Sequence, residues 1–178
     1  MQKAALILEG GAKRGVFTSG VLDYLMEQEY YIPHVIGGSA GSCNAVDYVS
    51  RQPGRTKACM IRSGEDGKII NFHNFFQTKS LLDMDLIFER DPKELHPFDF
   101  DTYFASDMTC EIVVTNCESG QAEYYSEKED GDRLMQLCRA SSSMPLVTPM
   151  VEIDGVPYLD GGIADSIPVS YTHLTLPT

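Results

Sequence analysis

The sequence predicts an α/β fold in which parallel strands are joined by helical crossovers. Three observations carry this reading. Two strand–turn–helix units follow one another in about the first fifty residues. In both, the strand is a short apolar run closed directly by glycines. Later apolar runs at Glu111–Thr115 and Val156–Leu159 add further strands to one sheet.

The elements follow in order. Ala4 to Leu8 is apolar and is closed by Glu9-Gly10-Gly11; from Val16 onward, Phe17, Val21, Leu22 and Leu25 recur at helical spacing. Val35-Ile36 is the second strand, closed by Gly37-Gly38-Ser39-Ala40-Gly41, and Ala45, Val46, Tyr48 and Val49 mark the second helix. Arg51 to Arg62 reads as its helical continuation, and Gly64-Glu65-Asp66-Gly67 as a turn. Leu81 to Arg90 and Phe98 to Phe104 read as short helices around Pro92 and Pro97. Glu111 to Thr115 is a core strand, with Ala122 to Ser126 as its hairpin partner after Ser119-Gly120. Asp132 to Ala140 is helical and ends in a serine run and Pro145. Val151–Ile153 and Val156–Leu159 flank Asp154-Gly155, a strong hairpin signal because both turn residues tolerate positive φ. There is no internal repeat.

Composition bounds the function. The chain has 178 residues, 43% hydrophobic and 22% charged, which is enough apolar material for the core of one domain and is not the profile of disorder. With 14 basic and 26 acidic side chains the net charge is −12. That balance excludes nucleic-acid binding driven by phosphate neutralisation. It also speaks against electrostatic docking on anionic lipid, while leaving apolar, peripheral contact with a membrane open. No run approaches the ~20 apolar residues of a membrane span. Met1-Gln2-Lys3 leads straight into the first strand without a signal-peptide pattern, so the expected location is cytoplasmic. The five cysteines (Cys43, Cys59, Cys110, Cys117, Cys138) are accordingly expected as free thiols, with Cys110 and Cys117 strand residues rather than metal ligands.

The last nine residues, Ser170 to Thr178, fit neither a strand nor a helix period. They look like translated adaptor sequence. The expected division is therefore one domain over 1–169 and a foreign tail over 170–178, with the authentic chain continuing past Val169.

The sharpest chemical signal is Gly37-Gly38-Ser39-Ala40-Gly41, a G-x-S-x-G between a strand and a helix. A nucleophile elbow strains the backbone at its serine, so Gly37 and Gly41 must be small enough for strand and helix to close. The helix N-terminus then offers N–H groups and a favourable dipole to an oxyanion. The bland alternative is a Gly/Ser turn.

The second signal is Gly10-Gly11-Ala12-Lys13-Arg14-Gly15, also between strand and helix. Such a turn can cradle phosphate, but Gly15 is followed by Val16-Phe17 rather than the Lys-Ser/Thr of a Walker loop, and the middle glycine of a dinucleotide fingerprint is missing. A loop whose peptide N–H groups hold the anion of an acyl-transfer intermediate, with Arg14 nearby, fits better.

The third is Asp160-Gly161-Gly162 at the end of a strand, which taken alone is more simply a tight turn. A Ser-His-Asp enzyme of α/β-hydrolase order needs a histidine after the acid, and only His173, in the tail, follows Asp160. His34, His73 and His96 all precede it and read as structural or surface residues. A serine activated by Asp160 alone is the economical arrangement.

Together, Gly10–Gly15, Gly37–Gly41 and Asp160-Gly161-Gly162, in that order, resemble the patatin-like phospholipases from about Ala4 to Val169. Leu8-Glu9-Gly10-Gly11-Ala12 and Asp160-Gly161-Gly162-Ile163-Ala164-Asp165-Ser166-Ile167-Pro168-Val169 look like that family's bacterial branch. The resemblance implies a three-layer α/β fold, mostly parallel and flanked by helices, incomplete here at the C-terminus. It implies a lipid acyl hydrolase with a Ser-Asp dyad: Ser39 as nucleophile, Asp160 as base, and the loop of Gly10, Gly11, Ala12, Lys13, Arg14 and Gly15 as oxyanion hole. Gly37, Gly41, Gly161 and Gly162 would support the motifs, and Arg14 matches the basic position of the family loop. The chain departs from the family at Ala12, where a third glycine is usual; alanine keeps the N–H but resists positive φ. The implied partner is a lipid or other ester substrate, with no cofactor and no metal. Two other readings remain at this point: a phosphate- or nucleotide-binding module using the Gly10–Gly15 loop, and a folded fragment without turnover. The ester class and the oligomeric state are not read from the sequence.

Overall fold

A computed structural model describes residues 4–61 and 80–169. The expected turn at Gly64–Gly67, His73, and Ser170–Thr178 with His173 lie outside the described residues. Strand β1 (Ala5–Leu8) leads through a single 3-10 turn, Ala12–Arg14, into helix α1 (Gly15–Glu27). Helix α1 buries Ser19, Leu22 and Met26, a spacing that places all three on one face. Strand β2 (His34–Gly38) returns parallel to β1, with Ala5 opposite His34 and Leu8 opposite Gly37. Helix α2 (Ala40–Val49) follows the elbow at once and is buried along most of its length. The Tyr48 hydroxyl fastens its far end by donating to the Tyr30 carbonyl (2.6 Å) and accepting the Ile32 N–H (3.0 Å).

The expected continuation over Arg51–Arg62 is interrupted. Arg51 takes a φ of 57°, Pro53 has no N–H to donate, and Gly54 takes a φ of 79°, so a turn separates α2 from α3 (Arg55–Met60). The next helix also differs. Instead of Leu81–Arg90, a wide π-wound helix α4 spans Leu86–Leu95, opened by the Asp83 carboxylate accepting the Leu86 N–H. Pro92 is buried within it. Helix α5 (Phe100–Ala105) is capped by Asp99, whose carboxylate accepts the Thr102 N–H at 2.9 Å.

Strand β3 (Thr109–Asn116) and β4 (Ala122–Tyr125) form the expected hairpin. Helix α6 (Gly131–Ser141) is capped by the Asp130 carboxylate. Strands β5 (Val151–Ile153) and β6 (Val156–Asp160) are joined through Asp154 (φ 53°) and Gly155 (φ 81°), the paired positive φ values of a tight hairpin turn.

The six strands form one sheet in the order β1-β2-β3-β6-β5, with β4 on β3. Strands β1, β2, β3 and β5 run in one direction and β4 and β6 in the other, so the helix-flanked sheet is mostly parallel. Leu8, Val35, Cys110, Ile112 and Val114 carry it into a core shared with Leu22, Val46, Tyr48, Tyr103, Leu134 and Leu137. All five cysteines are free thiols.

Register on β3 decides the position of the site. Strand β2 pairs with Thr109–Val113 and ends with Gly38 opposite Val113; β6 pairs with Val114–Asn116 and ends with Asp160 opposite Val114. Because β4 occupies Ile112–Thr115 across both stretches, β2 and β6 share the other edge of β3. They meet there end to end, C-terminus against C-terminus.

Candidate active site

Ser39 lies in the turn between β2 and α2 with φ 54° and ψ −128°, a conformation that a residue bearing Cβ resists. Close packing holds it there. A Cβ on Gly41 would run into the Leu8 carbonyl, and one on Gly37 into the Gly41 carbonyl, so glycine is the residue that lets β1, β2 and α2 approach this closely. Both backbone polar groups of Ser39 are satisfied. Its N–H donates to the Ser141 hydroxyl (2.9 Å), and its carbonyl accepts from the Ser42 N–H (2.9 Å) and hydroxyl (2.6 Å). Ser39 itself remains partly exposed.

Asp160 ends β6 and is 6% exposed. Its N–H donates to the Ser143 carbonyl (2.8 Å), its carbonyl accepts the Thr115 hydroxyl (2.8 Å), and its carboxylate accepts the Gly162 N–H (2.8 Å). Gly161 turns tightly beneath it, where a Cβ would meet the Val113 carbonyl. Burial raises the Asp160 carboxyl above the ordinary carboxylate range, opposed by hydrogen bonds from the Ser39 side chain and the Gly162 N–H. The serine and the aspartate singled out in the sequence therefore lie at the adjoining ends of β2 and β6.

The glycine loop packs on the serine. A Cβ on Gly10 would lie 2.8 Å from Ser39 Cβ, so this stretch of backbone rests directly on the serine. Gly11 takes φ 143° and Ala12 takes φ 49°, so alanine adopts the positive φ it resists. Gly15 meets the start of α2, 3.1 Å from Ala40 Cβ by the same measure, and Asn44 locks the junction by donating to the Gly15 and Ala40 carbonyls (3.1 and 3.2 Å). Lys13 and Arg14 are exposed, and the Arg14 guanidinium folds back to the Gly11 carbonyl at 3.5 Å.

The two described histidines are engaged elsewhere. His34, at the opposite end of β2 from the elbow, pairs with Glu111 at 2.5 Å, and His96 pairs with Asp91 at 2.8 Å. Cys59, Asp91 and His96 place potential ligand atoms within 4.8 Å of one another. The neighbouring Arg55 guanidinium, 3.9 Å from Asp91 and 2.7 Å from Asp47, already brings a cation to that cluster.

Sequence reasoning missed Ser141, Ser143 and Asn44. The serine run after α6 was legible only as a helix terminus, and Asn44 only as one residue of a helix; their partners are far away in sequence.

A serine on a strained strand–helix elbow, a strand-end aspartate beside that elbow and a glycine loop packed on the serine are the features this α/β sheet brings together. The sequence profile of the patatin-like phospholipases matches residues 6–173, and the chain belongs to that family. It is 30% identical over 172 residues to the uncharacterized protein YjjU of Escherichia coli (strain K12), an alignment covering 94% of this chain and 47% of that one. The chain thus spans about half the length of this curated relative.

Proposed function

We propose that this chain carries the catalytic dyad of a lipid acyl hydrolase that cleaves carboxylic esters of phospholipids or related acyl lipids, with Ser39 as nucleophile and Asp160 as base. The observation that supports it most directly is the end-to-end meeting of β2 and β6 on β3, with Ser39 directly after the end of one strand and the buried Asp160 at the end of the other. Burial gives that carboxylate a higher proton affinity than an exposed aspartate, which suits it to accept the serine proton.

In the first step the Ser39 hydroxyl proton passes to Asp160 as Oγ bonds to the ester carbonyl carbon. The oxyanion is held by N–H groups of the Gly10–Gly15 loop and the start of α2. The carbon–oxygen bond to the alcohol breaks, and Asp160 returns its proton to the leaving oxygen. Water then adds to the acyl-serine, Asp160 takes its proton, and the acid departs as Oγ recovers a proton. The loop's inner face is occupied by Ser39, which favours this role over a free-standing phosphate cradle. Peripheral contact with a lipid surface is part of the proposal; no described helix is long and apolar enough to cross a membrane.

Fluorophosphonate labelling tests the nucleophile. Intact-mass analysis should show one adduct on the folded chain and none on Ser39→Ala; a folded protein that resists labelling, or labels equally without Ser39, would remove the proposal.

A further inference from the structure

Ser141 is the last residue of α6, and its side chain is inaccessible to solvent, with 0% of the residue exposed. Its hydroxyl accepts the Ser39 N–H at 2.9 Å and donates to the Val113 carbonyl at 2.6 Å. Val113 is the strand partner of Gly38, the residue just before the elbow serine. In a continued parallel ladder, the N–H after Gly38 would bond the Val113 carbonyl directly. At the elbow the chain lifts out of the ladder, and the Ser141 hydroxyl spans the opening with two hydrogen bonds in series.

We infer that Ser141 is a positioning residue that fixes the strained backbone of the nucleophile, and that the end of α6 sets both members of the dyad. Two residues further on, the Ser143 carbonyl accepts the Asp160 N–H at 2.8 Å. One side chain and one carbonyl of a single helix terminus thus hold Ser39 and Asp160, which belong to strands far apart in sequence. The inference rests on the esterase reading above. It adds a residue that touches neither ester nor proton and acts through the backbone of the one that does.

The chemistry of the tether says what its loss would do. Ser141→Ala removes one oxygen and takes the partner from a part-buried N–H and from a buried carbonyl. The elbow can then satisfy Ser39 N–H only by relaxing from φ 54°, which moves Oγ relative to Asp160 and the loop donors. Substrate contacts made away from the elbow are untouched, so the loss should fall on kcat rather than on KM.

The test uses the full chain, a soluble short-chain ester and a fluorophosphonate probe. Ser141→Ala should lower kcat by about tenfold to a hundredfold, the range that small misplacements of reacting groups produce, with KM within about twofold of wild type. The labelling rate of Ser39 should fall in proportion. Ser50→Ala, which removes another buried serine hydroxyl bonded to Asp47 and Gln52, is the control for general loss of stability and should keep its kcat. Amide hydrogen exchange supplies a readout independent of turnover: the Ser39 N–H should be protected in the wild type and lose protection in Ser141→Ala, while Val35 and Ile112 keep theirs. Wild-type kcat, or unchanged Ser39 protection, in folded Ser141→Ala would overturn the inference while leaving the esterase reading standing. A wild-type chain that neither labels nor turns over would remove both, and is recognised before any variant is compared.

Discussion

Gly38 and Asp160 face neighbouring residues of one strand, Val113 and Val114, although they close strands that run in opposite directions. That single register sets the elbow serine next to the end of the strand that carries the carboxylate, and neither described histidine lies between them. The dyad reading therefore predicts that Asp160→Asn, nearly identical in size, abolishes ester turnover while the protein still folds. His34→Gln combined with His96→Gln should keep its kcat, because their partners are Glu111 and Asp91. Steady-state kinetics with circular dichroism on both proteins decides it: a working Asp160→Asn enzyme, or a folded, inactive histidine double variant, ends the dyad.

A second prediction contrasts two glycines. Gly41→Ala places a Cβ against the Leu8 carbonyl, backbone that cannot move without shifting β1. It should cost about 3 kcal/mol or more, as overpacking at a rigid contact does. Gly20→Ala lies in the interior of α1 with nothing within 4 Å of the new Cβ, and should instead stabilise by roughly 0.5–1 kcal/mol. Urea denaturation midpoints check both signs. A neutral Gly41→Ala would mean that β1 and α2 do not approach closely.

Much of this site was legible because its parts are local. Gly37–Gly41 and Gly10–Gly15 encode their own turns, and Asp154-Gly155 encodes the hairpin that returns β6 to the sheet. The break at Arg51–Gly54, which the helical reading of Arg51–Arg62 passes over, has a local signal in Pro53-Gly54. The displaced start of α4 depends on the Asp83 side chain and on a π winding that no periodicity announces. Ser141 and Ser143 were illegible for a different reason. A serine run after a helix has the same composition whether its hydroxyls face water or the backbone of a nucleophile, and only the register of β3 decides which.

A third prediction concerns Ala12. Its φ of 49° is a conformation in which Cβ is unfavourable by about 1–2 kcal/mol, partly offset by the greater unfolded-state freedom of glycine. Ala12→Gly should therefore stabilise the chain by roughly 0.5–1 kcal/mol and keep kcat, since the loop N–H at that position is retained. A loss of stability of similar size would show that Ala12 has negative φ in solution and that the loop is held differently over Ser39.

The fourth prediction follows from Asp160 and its burial. In the unfolded chain this carboxyl titrates near ~3.9, whereas in the fold it is raised, with desolvation as the leading cause. Between those two values the folded state binds the proton more tightly than the unfolded one, so stability falls as pH rises through that window. Below the window the penalty is absent; above it the penalty is complete. Asp160→Asn carries no charge at any of these pH values and escapes it, while its side-chain carbonyl can still accept the Gly162 N–H. The variant should therefore have a higher Tm than wild type near neutral pH, and the difference should shrink as pH is lowered toward about 4. The same titration should appear in the active protein as an acid limb of kcat/KM whose midpoint lies above the ordinary aspartate value, because only the ionised carboxylate accepts the serine proton. Thermal melts of both proteins across that range, with a kcat/KM profile of the wild type, make the measurement. A Tm difference independent of pH, or a kcat/KM that stays level down to about pH 4, would mean that Asp160 is neither raised by its burial nor the base.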